Sequence, residues 1–454
     1  PPPGAKVIDC TGKTIYAGLI DAYGEVDVPE PPTGGTGSWY GNILPRRAAA
    51  AAIQSVNDVS SARSQGVTMR LIAPSGAIIK GTSCLVMLDG KDSATLVDDD
   101  VAQHLQLTVP RDRRRDTYPN SPMGAVALLR QTLADADWYT RAWNAYSAKP
   151  ELPRPTRNDD LARIASDRSQ GRFIIDCPNE RMALRAERIA SEFSLEIWMR
   201  GSGREYRDLQ AIADAGRPLL VPVDFPDAPN VASEASADNA TLLELMHWHF
   251  APENAARLAE AGVTFCLTSD GLDDPKSFLK QIRTAVDRGL SADEALAAVT
   301  TTPARLLGVG EIAGRVRAGS LANLVVTDGD LFGEDTKVLE TWVAGKRFKH
   351  DGSAEPESDP MIGTWMTNLK VAGEEVPIRL ELKREKKKWS GKLIGEHSSQ
   401  EGADRTEPED VREDQTNDAD GKSKEESSAK LNQIARAIDR LTAWVDLSNA
   451  DKRL

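Results

Sequence analysis

Thr301-Thr302-Pro303-Ala304-Arg305-Leu306-Leu307-Gly308 divides the chain into two textures. Thr302-Pro303 sets Pro303 in the first turn of a helix, where its missing N–H costs little. Upstream, from Thr14 to Gly308, short apolar runs alternate with amphipathic helical stretches. Candidate strands are 15–21, 67–73, 83–88, 173–177, 195–199, 218–223 and 263–268. Between them lie the helical patterns 47–65, 123–147, 181–193, 205–215, 242–261 and 277–288. Strands that are apolar on successive residues and separated by helices imply a parallel sheet buried on both faces. The unit count favours a closed α/β barrel, a (β/α)8 TIM barrel over 19–308, above an open doubly wound sheet. No GxGxxG or GxxxxGK[ST] follows any of these strands, which argues against nucleotide binding.

Downstream of Gly308, residues 311–327 and 338–348 alternate with period two, with glycine turns at Gly314, Gly319, Gly329 and Gly345. Gly314 and Gly319 are expected to bracket a hairpin. These return strands, 309–350, together with 1–18, would build a small and incomplete β-sandwich. A second β unit is expected at 360–396, around Gly363-Thr364-Trp365. Residues 397–429 are poor in large apolar side chains and rich in Glu, Asp, Ser and Lys, so they read as a disordered acidic linker. Helical spacing returns at Leu431, Ile434, Ile438, Leu441 and Trp444, giving an amphipathic helix within 430–454 that must pack on something.

At 454 residues the chain accommodates a barrel and an accessory domain. Its net charge of −13 argues against nucleic acid or anionic membrane as a partner. No apolar run is long enough to span a bilayer. The opening Pro1-Pro2-Pro3-Gly4, without an initiator Met, reads as the interior of a longer reading frame. Cys10, Cys84, Cys177 and Cys266 lie far apart, each in an apolar segment, and read as reduced core residues.

Three stretches resemble the amidohydrolase superfamily. The first is Val7-Ile8-Asp9-Cys10-Thr11-Gly12-Lys13 followed by Ala17-Gly18-Leu19-Ile20-Asp21-Ala22; the second is Thr268-Ser269-Asp270-Gly271. The third runs from Gly289-Leu290-Ser291 through Glu294-Ala295-Leu296, the 301–308 stretch, Gly314 to Gly319, Ala322-Asn323-Leu324 and Gly345-Lys346. A weaker likeness, Ser121-Pro122-Met123-Gly124 with Leu129-Arg130-Gln131, points to bacterial envelope or secreted members. The resemblance covers 7–348 and is to imidazolonepropionase-like, metal-dependent hydrolase barrels.

That resemblance implies one or two divalent metals at the C-terminal mouth of the barrel. The ligands would be a His-x-His after strand one, a bridging carboxylated Lys or Glu, two further His, and an Asp after strand eight. Such a metal lowers the pKa of its bound water while the Asp accepts the proton. Here the His-x-His window reads Asp21-Ala22-Tyr23-Gly24-Glu25, so both imidazoles are gone. The fifth-strand His falls on Asp176 and the sixth-strand His on Arg200; only Asp270 matches. Lys80 is a poor bridging candidate, placed on a polar turn. A catalytic zinc typically takes three protein ligands, so the chain reads as a degenerate member. Glu25, Asp176 and Asp270 are hard oxygen donors that would suit Mg²⁺, Mn²⁺ or Ca²⁺. Arg200 is a permanent cation in the same place, and the preferred expectation is that it pairs with Asp176 and Asp270 instead.

His247-Trp248-His249 lies in a helical stretch, where residues two apart point about 200° apart and cannot share one ion. His104, His350 and His397 fall in helix, strand-end and linker contexts. Ser75 and Ser83 lie in a Gly-rich loop without a neighbouring base. Lys386-Lys387-Lys388 reads as a solvated hairpin tip.

Three functions are weighed. The first is a catalytically inactive barrel acting as scaffold or regulatory half of a larger, tandem amidohydrolase, with no cofactor, and with further domains of the same polypeptide or a second copy as partners. The second is a metal-dependent hydrolase of non-peptide C–N bonds with an atypical carboxylate site holding Zn, Mn or Mg around a catalytic Asp270. The third is a small-anion-binding module in which a pocket of Tyr23, Glu25, Asp176 and Arg200 captures a carboxylate.

Overall fold

A computed structural model describes residues 8–29, 41–109, 118–170 and 172–350, and the strands of 363–371, 374–385 and 388–394. The chain forms two compact units, Pro1–Ser353 and Ala354–Leu454.

The first unit begins with β1 (Thr14–Ala17), β2 (Leu19–Asp21), β3 (Glu25–Val26), β4 (Val67–Pro74), β5 (Ile79–Thr82), β6 (Cys84–Met87) and β7 (Thr95–Asp98). It continues with β8 (Gln103–Gln106), β9 (Phe173–Asp176), β10 (Ile197–Arg200), β11 (Leu219–Pro222), β12 (Phe265–Thr268), β13 (Leu324–Thr327), β14 (Val338–Val343) and β15 (Lys346–Lys349). Strands β12-β11-β10-β9-β8 form a parallel sheet that β5 extends antiparallel to β8. A second sheet has the order β2-β4-β6-β7, with β3 also on β4. Its β2 and β3 run parallel to β4, while β6 is antiparallel. Every residue of β4, β9 and β12 is buried, as expected of strands covered on both faces. This is a mixed α/β fold. Among the described residues no ladder joins β12 to β2; side chains bridge that seam instead. Thr268 and Ser269, at the end of β12, bind the carboxylate of Asp21 at the end of β2.

The helices are placed by local signals. Ser121 caps Pro122–Ala148 by accepting from the Gly124 N–H, with proline in the first turn. That helix buries Ala125, Leu128, Leu129, Thr132, Leu133, Ala136 and Tyr139, a three-and-four spacing that makes one apolar face. Asn179 caps Glu180–Phe193 through the Met182 N–H, and Ser194 ends it in a left-handed conformation. The expected helix over 242–261 breaks into Leu242–Phe250, Ala251–Glu253 and Asn254–Glu260, because Pro252 cannot continue an α-helical ladder. Of 47–65, only the tight turns Ala49–Ser55 and the helix Val59–Ser64 are helical. No helix among the described residues is long and apolar enough to cross a membrane.

After residue 308, β1-β13-β14-β15 make an antiparallel four-stranded sheet from the two ends of the unit. Here the structure corrects two expectations. Within 311–327 only Leu324–Thr327 is a strand, and Gly314 and Gly319 do not bracket a hairpin. The reason is packing: Val309 and Ala313 are buried with Ala304 and Leu307, which holds the segment as an irregular turn against the helix Thr301–Leu306. A Cβ on Gly314 would stand 2.7 Å from that of Ala304. The sequence reading also missed β5, β7 and β8 as strands.

In the second unit, β16 (Gly363–Val371), β17 (Glu374–Glu385) and β18 (Lys388–Ile394) pair antiparallel in that order. The linker expected at 397–429 and the helix at 430–454 lie outside the described residues, as does His397.

One backbone position decides how β5 lies. Gly81 has φ +113°, and a Cβ there would come within 2.2 Å of the Arg47 carbonyl oxygen, which accepts from the Thr82 N–H. Gly81→Ala is therefore expected to destabilise the unit by about 1–3 kcal/mol, read as a lower urea midpoint; an unchanged midpoint would refute the need for glycine.

Candidate active site

The C-terminal ends of the parallel strands converge on a cluster of charged side chains. Asp176 ends β9 and Arg200 ends β10, and the parallel register sets them directly side by side. Glu25 arrives on β3 and Asp270 two residues beyond β12. Lys80 comes from β5 with 1% of its surface exposed. The structure thus brings Tyr23, Glu25, Asp176, Arg200 and Asp270 together. It adds one side chain that sequence reasoning dismissed: Lys80 is not on a polar turn but on a buried strand.

The contacts are charge pairs throughout. Lys80 Nζ donates to Glu25 Oε1 at 2.8 Å and to Asp176 Oδ2 at 2.5 Å. Arg200 donates to Asp270 Oδ2 through Nε at 2.7 Å and Nη2 at 2.5 Å. Its Nη1 lies 3.4 Å from Asp176 Oδ2 and 3.6 Å from Glu25 Oε1. The guanidinium carbon stands 4.4 Å from the centre of the Tyr23 ring, in cation–π geometry. Tyr23 donates its hydroxyl proton to Glu25 Oε1 at 2.7 Å. Two cations and three carboxylates therefore occupy one mouth.

Titration follows from these pairs. Burial pushes the Glu25 carboxyl up, but the Lys80 ammonium, its hydrogen bond and Arg200 outweigh it and leave Glu25 below the usual range. Burial pulls Lys80 down, yet Asp176 and Glu25 hold its ammonium above the usual lysine value. Arg200 is likewise raised, its burial outweighed by Tyr23 and the carboxylates. Asp270 goes the other way: burial raises it more than Arg200 lowers it. Burial and the Asp176 charge push the Tyr23 hydroxyl well above its normal value.

Beneath the mouth lies His104, on β8 and fully buried, not in the helical context read from the sequence. Its ring centre is 5.8 Å from that of Tyr23. Neither ring nitrogen has a hydrogen-bond partner, nor has Asp176 Oδ1. Burial and then the Lys80 charge push the imidazole well below its normal pKa, so it is neutral. The signal that could have found its strand is the short alternation His104-Leu105-Gln106-Leu107. Lys80 carried a fainter signal, one charge inside Ala77-Ile78-Ile79-Lys80-Gly81.

These residues do not fit a catalytic divalent metal. The carboxylate oxygens such an ion would need are occupied by an ammonium and face a guanidinium, and two like-charged cations cannot share them without large cost. Among the described residues no group of three or more His, Cys, Asp and Glu is placed to hold a metal ion. The other motifs fall away on geometry. His247 and His249 sit on the helix Leu242–Phe250; His247 stacks on Tyr206, and His249 faces Glu253. Ser83 donates to the Ala102 carbonyl and Ser75 to Asp27. All four cysteines are free, and Cys84, Cys177 and Cys266 are buried.

Residues 252–348 match the model of the Amidohydrolase family. Over 74 residues the chain is 38% identical to "Amidohydrolase tasK" of Hapsidospora irregularis, a match spanning 16% of this chain and only 7% of that protein. The crystal structure of an amidohydrolase from Thermotoga maritima MSB8 superposes with a TM-score of 0.60 at 20% identity, over 77% of this chain and 90% of that one. At that identity the likeness is one of fold.

Proposed function

We propose, for a chain that belongs to the amidohydrolase superfamily, that its strand ends form the mouth of a (β/α)8 barrel in which a salt-bridge network has taken the place of the catalytic metals. On this reading the domain is catalytically inactive by itself and serves as scaffold or regulatory half of a larger, tandem amidohydrolase. The observation that carries it is the seating of Lys80 Nζ between Glu25 and Asp176, with Arg200 on Asp270. A divalent ion would have to displace the ammonium and endure the guanidinium within 3.4 Å of the same oxygen. Water activation through Asp270 lacks support too, because its outer oxygen is committed to Arg200 twice over. Anion capture at Arg200 is disfavoured as well, since three carboxylates already surround it.

The metal-dependent reading keeps one observation in its favour: Asp176 Oδ1 and both nitrogens of His104 are buried without partners. Elemental mass spectrometry of the purified chain, dialysed against trace zinc and manganese, separates the two. We expect far less than one ion per chain. One or two tightly held ions would overturn the salt-bridge reading and place the chain among metal-dependent hydrolases of C–N bonds.

A further inference from the structure

A cavity of about 440 Å³ lies apart from the mouth, lined by Thr301, Thr302, Arg305, Glu311, Arg315 and Arg317 among others. None of its lining residues belongs to the charged cluster just described. Its charge is opposite to that of the chain: three guanidiniums and one carboxylate, in a protein of net charge −13. The carboxylate is already used, since Glu311 Oε2 accepts from Arg317 at 2.8 Å and the Glu311 carbonyl accepts from the same guanidinium at 2.6 Å. That leaves Arg305 and Arg315 without an ion-pair partner among the described residues, and the Thr301 and Thr302 hydroxyls without a hydrogen-bond partner.

We infer that this cavity is a binding site for a small, multiply charged anion, a phosphoryl compound or a polycarboxylate. Two guanidiniums supply forked, charge-assisted donors that match planar or tetrahedral oxyanions, and hydroxyls complete such a shell. A concave wall concentrates the positive potential of the arginines against the acidic remainder of the surface. Elsewhere among the described residues, arginines such as Arg46, Arg70, Arg163, Arg168, Arg200, Arg217 and Arg347 are consumed by carboxylates. The helix Thr301–Leu306 buries Ala304 in the same apolar cluster as Ala313, which seats the cavity wall on the core of the unit.

Titration calorimetry of the full chain with pyrophosphate and with citrate, in buffer of fixed low ionic strength, tests this. At least one anion should bind with simple saturation, and its affinity should fall steeply with added salt. Arg305→Gln and Arg315→Gln should each weaken it roughly tenfold, while Arg257→Gln, at a half-buried arginine outside the cavity that pairs with Glu253, should leave it unchanged. Tighter pyrophosphate than citrate identifies phosphoryl ligands, and the reverse identifies polycarboxylates. Both cavity arginines are exposed, so the variants are expected to unfold at the temperature of the parent without ligand. Absence of binding by both anions at millimolar concentration overturns the inference. So does binding that survives both cavity substitutions.

Discussion

Replacing Lys80 by methionine is expected to destabilise the first unit by about 3–5 kcal/mol at neutral pH, the usual cost of removing one partner from a buried ion pair. The ammonium holds Glu25 and Asp176 together at 2.8 and 2.5 Å; without it, two carboxylates face each other with only the more distant Arg200 between them. Methionine keeps the volume of the lysine stem, so the loss reports charge and not a cavity. The pH dependence has a definite sign. Glu25 titrates below its unfolded value, so its contribution is present above about pH 4.3 and is lost as pH falls through the folded value. Lys80 titrates above its unfolded value, so its contribution is present below about pH 10.4 and is lost as pH rises through the folded value. Asp270 is raised and acts in opposition: its ionisation weakens folding as pH rises through the carboxylate range, which offsets part of the acid loss. The deficit of Lys80→Met should therefore be widest between these limits and shrink in acid, where the bared carboxyls take up protons. Urea midpoints of both proteins across this range measure it. Adding Glu25→Gln and Asp176→Asn to the variant should restore most of the stability, because uncharged partners need no cation. Equal midpoints for parent and Lys80→Met would show that the pair is not a source of stability, and would remove the main support for the proposed function.

Asp21→Ala should cost a similar amount, about 3–5 kcal/mol, for a different reason. Asp21 is fully buried and accepts from Arg70 Nε at 2.9 Å, Thr268 Oγ1 at 2.8 Å, the Ser269 N–H at 3.1 Å and Ser269 Oγ at 2.5 Å. Its removal strands a buried guanidinium and leaves the Ser269 N–H and hydroxyl without Asp21, while the Thr268 hydroxyl keeps the Tyr23 carbonyl at 2.9 Å. No ladder links β12 to β2 among the described residues; this carboxylate accepts three hydrogen bonds across that seam, and the Tyr23 carbonyl accepts one more from the Thr268 hydroxyl. Thermal unfolding followed by circular dichroism gives the magnitude, and proteolysis at residues 19–26 and 265–272 would locate the loosening. Asp21→Asn should fall between parent and alanine, since one amide oxygen still accepts while the amide NH₂ confronts Arg70. A loss no larger than that of an exposed aspartate would show that the seam is held otherwise.

Much of the fold was legible because it is written locally. Buried parallel strands show as apolar runs, and the runs near 67–73, 173–177, 218–223 and 263–268 each contain an observed strand. Helix starts were legible where a cap and a proline coincide, as at Ser121-Pro122. Five of the mouth residues could be named in advance only because a family resemblance fixed which strand ends to inspect. Lys80 and His104 escaped. A lysine looks like a surface residue until its carboxylates are found, and those lie 55 and 96 residues away at Glu25 and Asp176. His104 looked helical because its short strand carries glutamines, whose burial depends on partners such as the Pro45 carbonyl and Asp167.

By itself the sequence determined the apolar runs that become the parallel strands Val67–Pro74, Phe173–Asp176, Leu219–Pro222 and Phe265–Thr268, since periodicity and residue identity are properties of neighbours along the chain. Only the tertiary structure decided that the Lys80 ammonium joins Arg200 among the three carboxylates of the mouth, and that Gly314 packs in a turn rather than a hairpin. Charge compensation and close packing depend on distances between segments far apart in the chain, and no local pattern encodes a distance.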